Sequence, residues 1–387
     1  MDVFLLAACG AALAYQLAAL AAAWRHRRRR DPQPGYTPPV SILKPVRGLD
    51  PHFDEAIRSH AALDYPEYEV LFGVETEDDP AAGEIRRLMA AHPEAPFRLA
   101  VCPTEAPNRK AGVLERLARE ARHPVLVIND SDVRVEPDYL SRVVAPLADP
   151  GTGVVTCLYR GRADSTPARW EALGVATDFA PSVLVAQLVG VREFGLGSTL
   201  AVRAEDLERA GGFGAIAGYI ADDYQLARRI TETGLRVHLS SLVVETTLGA
   251  ESWGEVWRHQ VRWHRTIRVS KGPAYLGILV TQATFWALLA AAAGWWVHAG
   301  LALAARLAAG LATGAGILRC PVTRRRWWLM PLRDLFGMAV WAAGLAGCTV
   351  EWRGRRLELS RDGRIVALEE QWLGETRGAR SGSSGSG

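Results

Sequence analysis

Three uncharged stretches divide the chain into apolar and alternating zones. Residues 3–24, VFLLAACGAALAYQLAALAAAW, form one apolar run, and Arg25, His26 and Arg27 to Arg30 follow it directly. A helix of that length matches a hydrocarbon core of ~30 Å. Because the basic residues come after the run, it reads as a retained anchor whose C-terminal end faces the cytoplasm, not as a cleaved leader. Residues 277–297 are again uncharged, and 299–318 carry one arginine, Arg306. Arg319 and Arg324 to Arg326 then mark a return to the cytoplasmic side. A last apolar segment, 335–350, is short for a crossing and leads into Trp352-Arg353-Gly354-Arg355-Arg356. A full crossing would put those arginines outside, whereas a re-entrant or interfacial helix would not. The pattern predicts three spans including the anchor and leaves the fourth open.

Between these zones the periodicity changes. Short β-rich runs recur at 40–46, 69–75, 97–101, 124–129 and 153–159, with helical patterns at 81–91 and 111–122 and a further strand at Thr199–Arg203. Strand–helix alternation of this kind predicts βαβ units and a mostly parallel sheet. The pattern sets seven expected zones: an anchor at 1–24, a basic and Pro-rich linker at 25–39, an α/β domain at 40–255, an interfacial helix at 256–272, membrane helices at 273–350, a basic tail at 351–380 and an expression-type linker, SGSSGSG, at 381–387. Trp257 to Arg265, alternately aromatic and basic, suit the interfacial helix, with arginines snorkelling and tryptophans buried.

Composition alters this picture little. The net charge of +3 over 387 residues gives no global field for nucleic acid. Five scattered cysteines without a CxxC pair argue against a disulfide framework or a zinc site, and suit a reducing face.

Candidate chemistry lies at the strand ends. The run 124–129 ends in Asn129-Asp130-Ser131-Asp132. In extended backbone Asp130 and Asp132 would point to one side, at the carboxyl end of a strand where open α/β sheets bind ligands. Two such carboxylates suit Mg²⁺ or Mn²⁺ carrying a phosphorylated substrate, and an Asx-type turn accounts for them equally well. Glu75 to Asp79 form a second acidic strand end. Asn108-Arg109-Lys110 places a cation where a diphosphate could meet a helix N-terminus. Gly195 and Gly197 would let backbone approach a ligand closely, or simply turn. Asp222-Asp223 begins a helical pattern, where Asp also serves as an N-cap.

Taken in order, VSILKPVRGLDP, LDYPEYEVLFGVETEDDPA, NRK, NDSDVRVEPD, GGFGAIAGYIADDYQLA, the RW at 262–263 and WRGRR resemble family 21 glycosyltransferases, which include ceramide glucosyltransferases and bacterial relatives that glycosylate hopanoid lipids. The resemblance implies a GT-A domain, α/β and nucleotide-sugar-binding, joined to transmembrane helices, with the domain cytoplasmic at a bacterial inner membrane. It implies a UDP-sugar donor, a lipid acceptor and inversion at the anomeric carbon. On matching positions, Glu75 and Asp79 belong to the donor block, with Gly197 beside the donor, and Lys110 neutralises diphosphate. Asp130 and Asp132 hold the metal, the second being variable in the family, and Asp223 is the general base with Asp222 beside it. Arg262 and Trp263 support donor and acceptor. His259 stands where the family has Gln or Arg, and a histidine carries charge poorly at neutral pH. Glucose transfer to ceramide is the first expectation. N-acetylglucosamine transfer to a hopanoid polyol is the alternative, favoured by VVTCLYRGR and FGLGSTLAVR. A processive polysaccharide synthase would need more spans, and a non-enzymatic scaffold would tolerate Asp223→Asn.

Overall fold

The computed structural model describes residues 2–250 and 252–370. Its centre is an eight-stranded sheet built from β1 (Val40–Pro45), β2 (Tyr68–Val74), β3 (Phe97–Val101), β4 (Val125–Ile128), β5 (Val133–Arg134), β6 (Thr152–Arg162), β7 (Leu200–Arg203) and β8 (Arg236–Thr247). The spatial order is β3-β2-β1-β4-β7-β6-β8-β5. Pairing is parallel from β3 through β4 and between β6 and β8, and antiparallel where β7 and β5 enter. The sheet is therefore mixed, its parallel half lying where βαβ alternation is clear in the sequence.

Side-chain alternation explains why helices cover both faces. Val40, Ile42, Val70, Phe72, Val125 and Val127 pack with Ile57, Ile85 and Leu140 on one face. Leu43, Leu71, Leu126 and Ile128 pack with Val113, Leu114, Leu117, Leu226 and Ile230 on the other. A strand buried on both faces has no polar side to spare, hence the near-continuous apolar runs. Gly73 sets one of these contacts. A Cβ there would collide with Val113 and Leu117, so its absence lets the helix Arg109–Glu120 lie close on β2.

The helix Asp2–Arg28 packs through small residues, Cys9, Ala12 and Ala19 among those buried, against Ala283–Ala292 and Trp296–Gly310. Small side chains bring apolar helices close. Two helices, Val3–Arg28 and Trp296–Ile317, are long and apolar enough to cross a membrane. Among the described residues, a third crossing arises if Trp253–Thr281 and Ala283–Ala292, bent by 53° at their break, count as one span. The predicted run 277–297 is thus interrupted, where Gln282 and Gly294 fall outside helix.

Helix Met330–Leu345, at 16 residues, reaches only ~24 Å. Beyond it, β9 (Thr349–Trp352), β10 (Arg355–Leu359) and β11 (Ile365–Glu370) form a small antiparallel sheet. Arg353 and Gly354 take positive φ, 50° and 78°, as a two-residue hairpin turn requires. Val350, Leu357 and Ile365 of this sheet pack on Ile220. The basic segment therefore folds back onto the α/β domain. The expected tail beyond residue 370 and the linker at 381–387 lie outside the described residues.

Candidate active site

One cavity of ≈ 890 Å³ gathers the strand ends, the helix Trp253–Lys271 and the C-terminal hairpin. Asp130 and Asp132 both line it, but β4 stops at Ile128 and the two aspartates sit in a turn, Val133 N–H donating to Asp130 O at 3.3 Å. They reach the cavity through that turn and not through extended backbone. Asp130 Oδ1 meets Lys110 Nζ at 2.7 Å, and Asp132 Oδ2 accepts from Thr246 Oγ1 at 2.5 Å. Ser131 donates to Asp50 at 2.7 Å, and Asp50 in turn binds both Arg353 terminal nitrogens at 2.8 and 3.1 Å.

Lys110 enters from the helix Arg109–Glu120, which Asn108 caps by accepting from Ala111 N–H at 3.1 Å. Its ammonium also lies 3.4 Å from Asp222 Oδ2, and these carboxylates hold its pKa above the usual range despite burial. Asp222 and Asp223 are the first two residues of Asp222–Glu232. The N-cap is Ala221 and makes no side-chain bond, so capping does not explain the acidic pair. Burial, then Asp222, pushes the Asp223 carboxyl up to about 6, against the pull of Lys110. Asp132 is likewise raised to about 6, by burial, Asp130 and Asp50.

Gly197 marks where these groups converge. A Cβ built on it would stand 3.4 Å from Asp223 Oδ2, 3.5 Å from Asp130 Oδ2 and 3.6 Å from Lys110 Nζ. Glu75 lines the same cavity, paired with Arg109 at 3.4 Å and Arg355 at 3.8 Å. Asp79 is elsewhere in role. It caps Pro80–Ala91 through Ala81 N–H at 2.9 Å and accepts from Gly48 N–H at 3.0 Å, outside the cavity lining.

Helix Trp253–Lys271 begins with a reciprocal Ser252–Glu255 capping box and brings His259, Arg262 and Trp263 to the cavity. His259 Nδ1 lies 2.6 Å from buried Glu171, and its ring packs 4.5 Å from Trp263. Arg262 makes no salt bridge among the described residues and faces the cavity half-buried, which leaves its charge available. Phe179, Val183, Phe194, Leu196 and Ile267 line the cavity's apolar side.

Lys44, Asp50, Glu171, Arg353 and Arg355 escaped the sequence reading. Lys44 carried a signal, a lysine inside the apolar run of β1. It is fully buried, donates to Asp130 O at 2.9 Å, and burial lowers its pKa to about 7 against the attraction of Asp132 and Asp130. The arginines had none beyond their charge, because only the backfolded hairpin brings them here.

The described residues hold no cluster of three or more His, Cys, Asp or Glu arranged to cage a metal. Two carboxylates beside a cavity are nonetheless the donor set Mg²⁺ uses when substrate phosphates complete its shell. The mutual repulsion and burial that raise Asp132 are what a divalent cation would relieve.

A mixed sheet with an acidic turn after its parallel strand β4 and an acidic helix start at the same cavity is the arrangement of the GT-A fold. The chain belongs to glycosyl transferase family 21, whose sequence profile matches residues 4–365. It is 27% identical over 222 residues to ceramide glucosyltransferase 1 of Caenorhabditis elegans, covering 56% of this chain and 47% of that protein. It is 30% identical over 126 residues to the ceramide glucosyltransferase of Komagataella phaffii, covering 31% and 25% respectively. The matched stretch thus spans half or less of these relatives' length. Among solved structures, the mannosyltransferase PcManGT from Pyrobaculum calidifontis, in complex with GDP-Man and Mn²⁺, superposes with a TM-score of 0.56 at 23% identity. That match covers 89% of this chain and 98% of the other, and shows the shared fold.

Proposed function

We propose that the protein moves a sugar from a UDP-sugar to the hydroxyl of a membrane lipid with inversion, glucose to ceramide being the reaction. The observation that carries this reading is the mixed lining of the cavity. Lys110, Asp130 and Asp223 converge at Gly197, and Phe179, Val183 and Phe194 give the same cavity an apolar wall. A nucleotide-sugar suits the charged side and a lipid's apolar body suits the wall. The ceramide glucosyltransferase relatives support glucose and ceramide as the pair to test.

In this mechanism Lys110 and Arg262 orient the donor diphosphate, and the start of Arg109–Glu120 adds its backbone N–H groups. Glu75 and Gly197 lie beside the donor, and Asp79 acts at one remove by fixing Gly48. Asp130 and Asp132 would hold Mg²⁺ or Mn²⁺, which supplies positive charge for the departing nucleoside diphosphate. Asp223, ionised above pH 6, takes the proton from the acceptor hydroxyl as its oxygen attacks the anomeric carbon and the bond to diphosphate breaks. Asp222 keeps that base weakly acidic by repulsion. Trp263 and His259 close the acceptor side.

The same reading makes the protein an integral membrane enzyme with its catalytic domain at the cytoplasmic face of a bacterial inner membrane. Its zones are an anchor to residue 24, a linker to 39, the catalytic domain to 255, an interfacial helix to 272 and membrane helices beyond.

The test is a product assay by mass spectrometry on purified enzyme in nanodiscs. UDP-glucose and UDP-N-acetylglucosamine compete as donors, and ceramide and bacteriohopanetetrol compete as acceptors. Hexosylceramide is the expected product. An N-acetylhexosaminyl hopanoid would overturn the substrate pair and keep the mechanism, and no modified lipid at all would refute the lipid-acceptor reading.

A further inference from the structure

A buried polar chain leads from the cavity into the membrane helices. Glu171 binds His259, and Gln260 Nε2 donates to the same Glu171 oxygen at 3.3 Å. Arg333, from the helix Met330–Leu345, donates to Gln260 Oε1 at 2.7 Å and pairs with Asp178 Oδ2 at 3.1 Å. Asp178 also pairs with Arg306 at 2.5 Å, and Arg306 pairs with Asp334 at 2.7 Å. Asp334 finally accepts from Thr284 Oγ1 at 2.6 Å.

Arg333 is the pivot of this chain. It is 4% exposed, and its guanidinium lies 5.1 Å from the Phe336 ring and 5.9 Å from Trp170. A Cβ at Gly174 would collide with that guanidinium, so the backbone beside it is drawn in close. Its two polar partners belong to two different segments that line the cavity. Asp178 sits in the π-helical turn Val175–Phe179, whose last residue lines the apolar side. Gln260 sits between His259 and Arg262 on the helix that carries Trp263. Among the described residues, neither Lys110, Asp130 nor Asp223 bonds to Arg333, Asp178 or Gln260.

We infer that Arg333 is a positioning residue for the acceptor. One planar fork fixes the spacing between the Phe179 wall and the Trp263 wall, and so couples the seat of the helix Met330–Leu345 to recognition of the lipid. Lysine cannot reproduce this, since a single ammonium lacks the fork that spans an amide and a carboxylate at once. The inference rests on the lipid-acceptor reading above.

The test uses the full chain in phosphatidylcholine nanodiscs with UDP-glucose and short-chain ceramide, comparing wild type, Arg333→Lys and Gln260→Leu. Three quantities are read: the KM for ceramide, the KM for UDP-glucose, and UDP release by hydrolysis without ceramide. The expected result is a ceramide KM raised about ten-fold or more in Arg333→Lys and less in Gln260→Leu, with both donor quantities within about two-fold of wild type. Retained hydrolysis shows that the variants fold. An unmoved ceramide KM in both variants overturns the inference, and so does a parallel loss of donor binding and hydrolysis. Wild-type enzyme that hydrolyses UDP-glucose but glycosylates no lipid sinks the lipid-acceptor reading, and this inference with it.

Discussion

Replacing Asp223 by asparagine separates chemistry from folding, because the two respond with opposite sign. Asparagine keeps the shape but cannot take a proton. Loss of a general base lowers turnover by roughly 10²–10⁴-fold. Stability moves the other way. The carboxyl is raised from an ordinary 3.8 to about 6, by burial and by Asp222, so its ionised form is disfavoured in the fold. The stability of the protonated form is complete below about pH 4 and is lost as pH rises through about 6. At pH 7 the ionised group therefore costs on the order of 3 kcal/mol, and asparagine removes that cost. Asp223→Asn should melt several degrees above wild type at pH 7, and the difference should vanish near pH 4. Scanning fluorimetry in detergent reads the melting, and single-turnover product formation reads the chemistry. Wild-type turnover at saturating donor should also fall as pH drops below about 6, because the base is then protonated. Turnover within about ten-fold of wild type, or a variant that melts lower at pH 7, would refute the assignment.

Gly197→Ala should leave melting within ~0.5 kcal/mol of wild type, since the added carbon meets its neighbours at ordinary contact distance. It should nonetheless cut kcat/KM for the donor by ~10²-fold, because it occupies the point where Lys110, Asp130 and Asp223 converge. Chelating divalent ions should stop transfer, and Asp132→Asn should raise the Mn²⁺ needed for half-maximal rate by ~10-fold or more, as titration of activity with Mn²⁺ would show. Asp334→Ala strands part of the buried Arg306 charge and should lower stability by ~3–5 kcal/mol in thermal unfolding.

The strands read from the sequence are those whose hydrophobic period is local. β1 to β4 and β7 appear within a residue or two of expectation, as do the helices 81–91 and 111–122. β8, in which buried residues alternate with half-buried ones and polar residues fill several positions, and the two-residue β5 were not legible, because their partners set them. The antiparallel entries of β7 and β5 made the sheet mixed, and no periodicity encodes strand order. In the site, the acidic strand ends and Asp222-Asp223 stood out as paired carboxylates, and only the structure separates them from an Asx-type turn or an N-cap. Arg353 could not be recognised, since its partner Asp50 lies some three hundred residues away in sequence. Asp79 stands in the same acidic block but does not line the cavity. Its carboxylate satisfies backbone N–H groups of the adjoining helix and of Gly48, a local duty that an acidic motif does not reveal.

The hairpin joining β9 to β10 has a consequence for how the enzyme comes into being. Ribosomes release the chain from its first residue onward, so the strands bearing Asp50 and Glu75 emerge early, while Arg353 and Arg355 emerge only after the apolar helices up to Leu345. The last wall of the cavity is thus delivered by the part of the chain made after the membrane segments. A nascent catalytic domain lacks that wall until the helices up to Leu345 have been made.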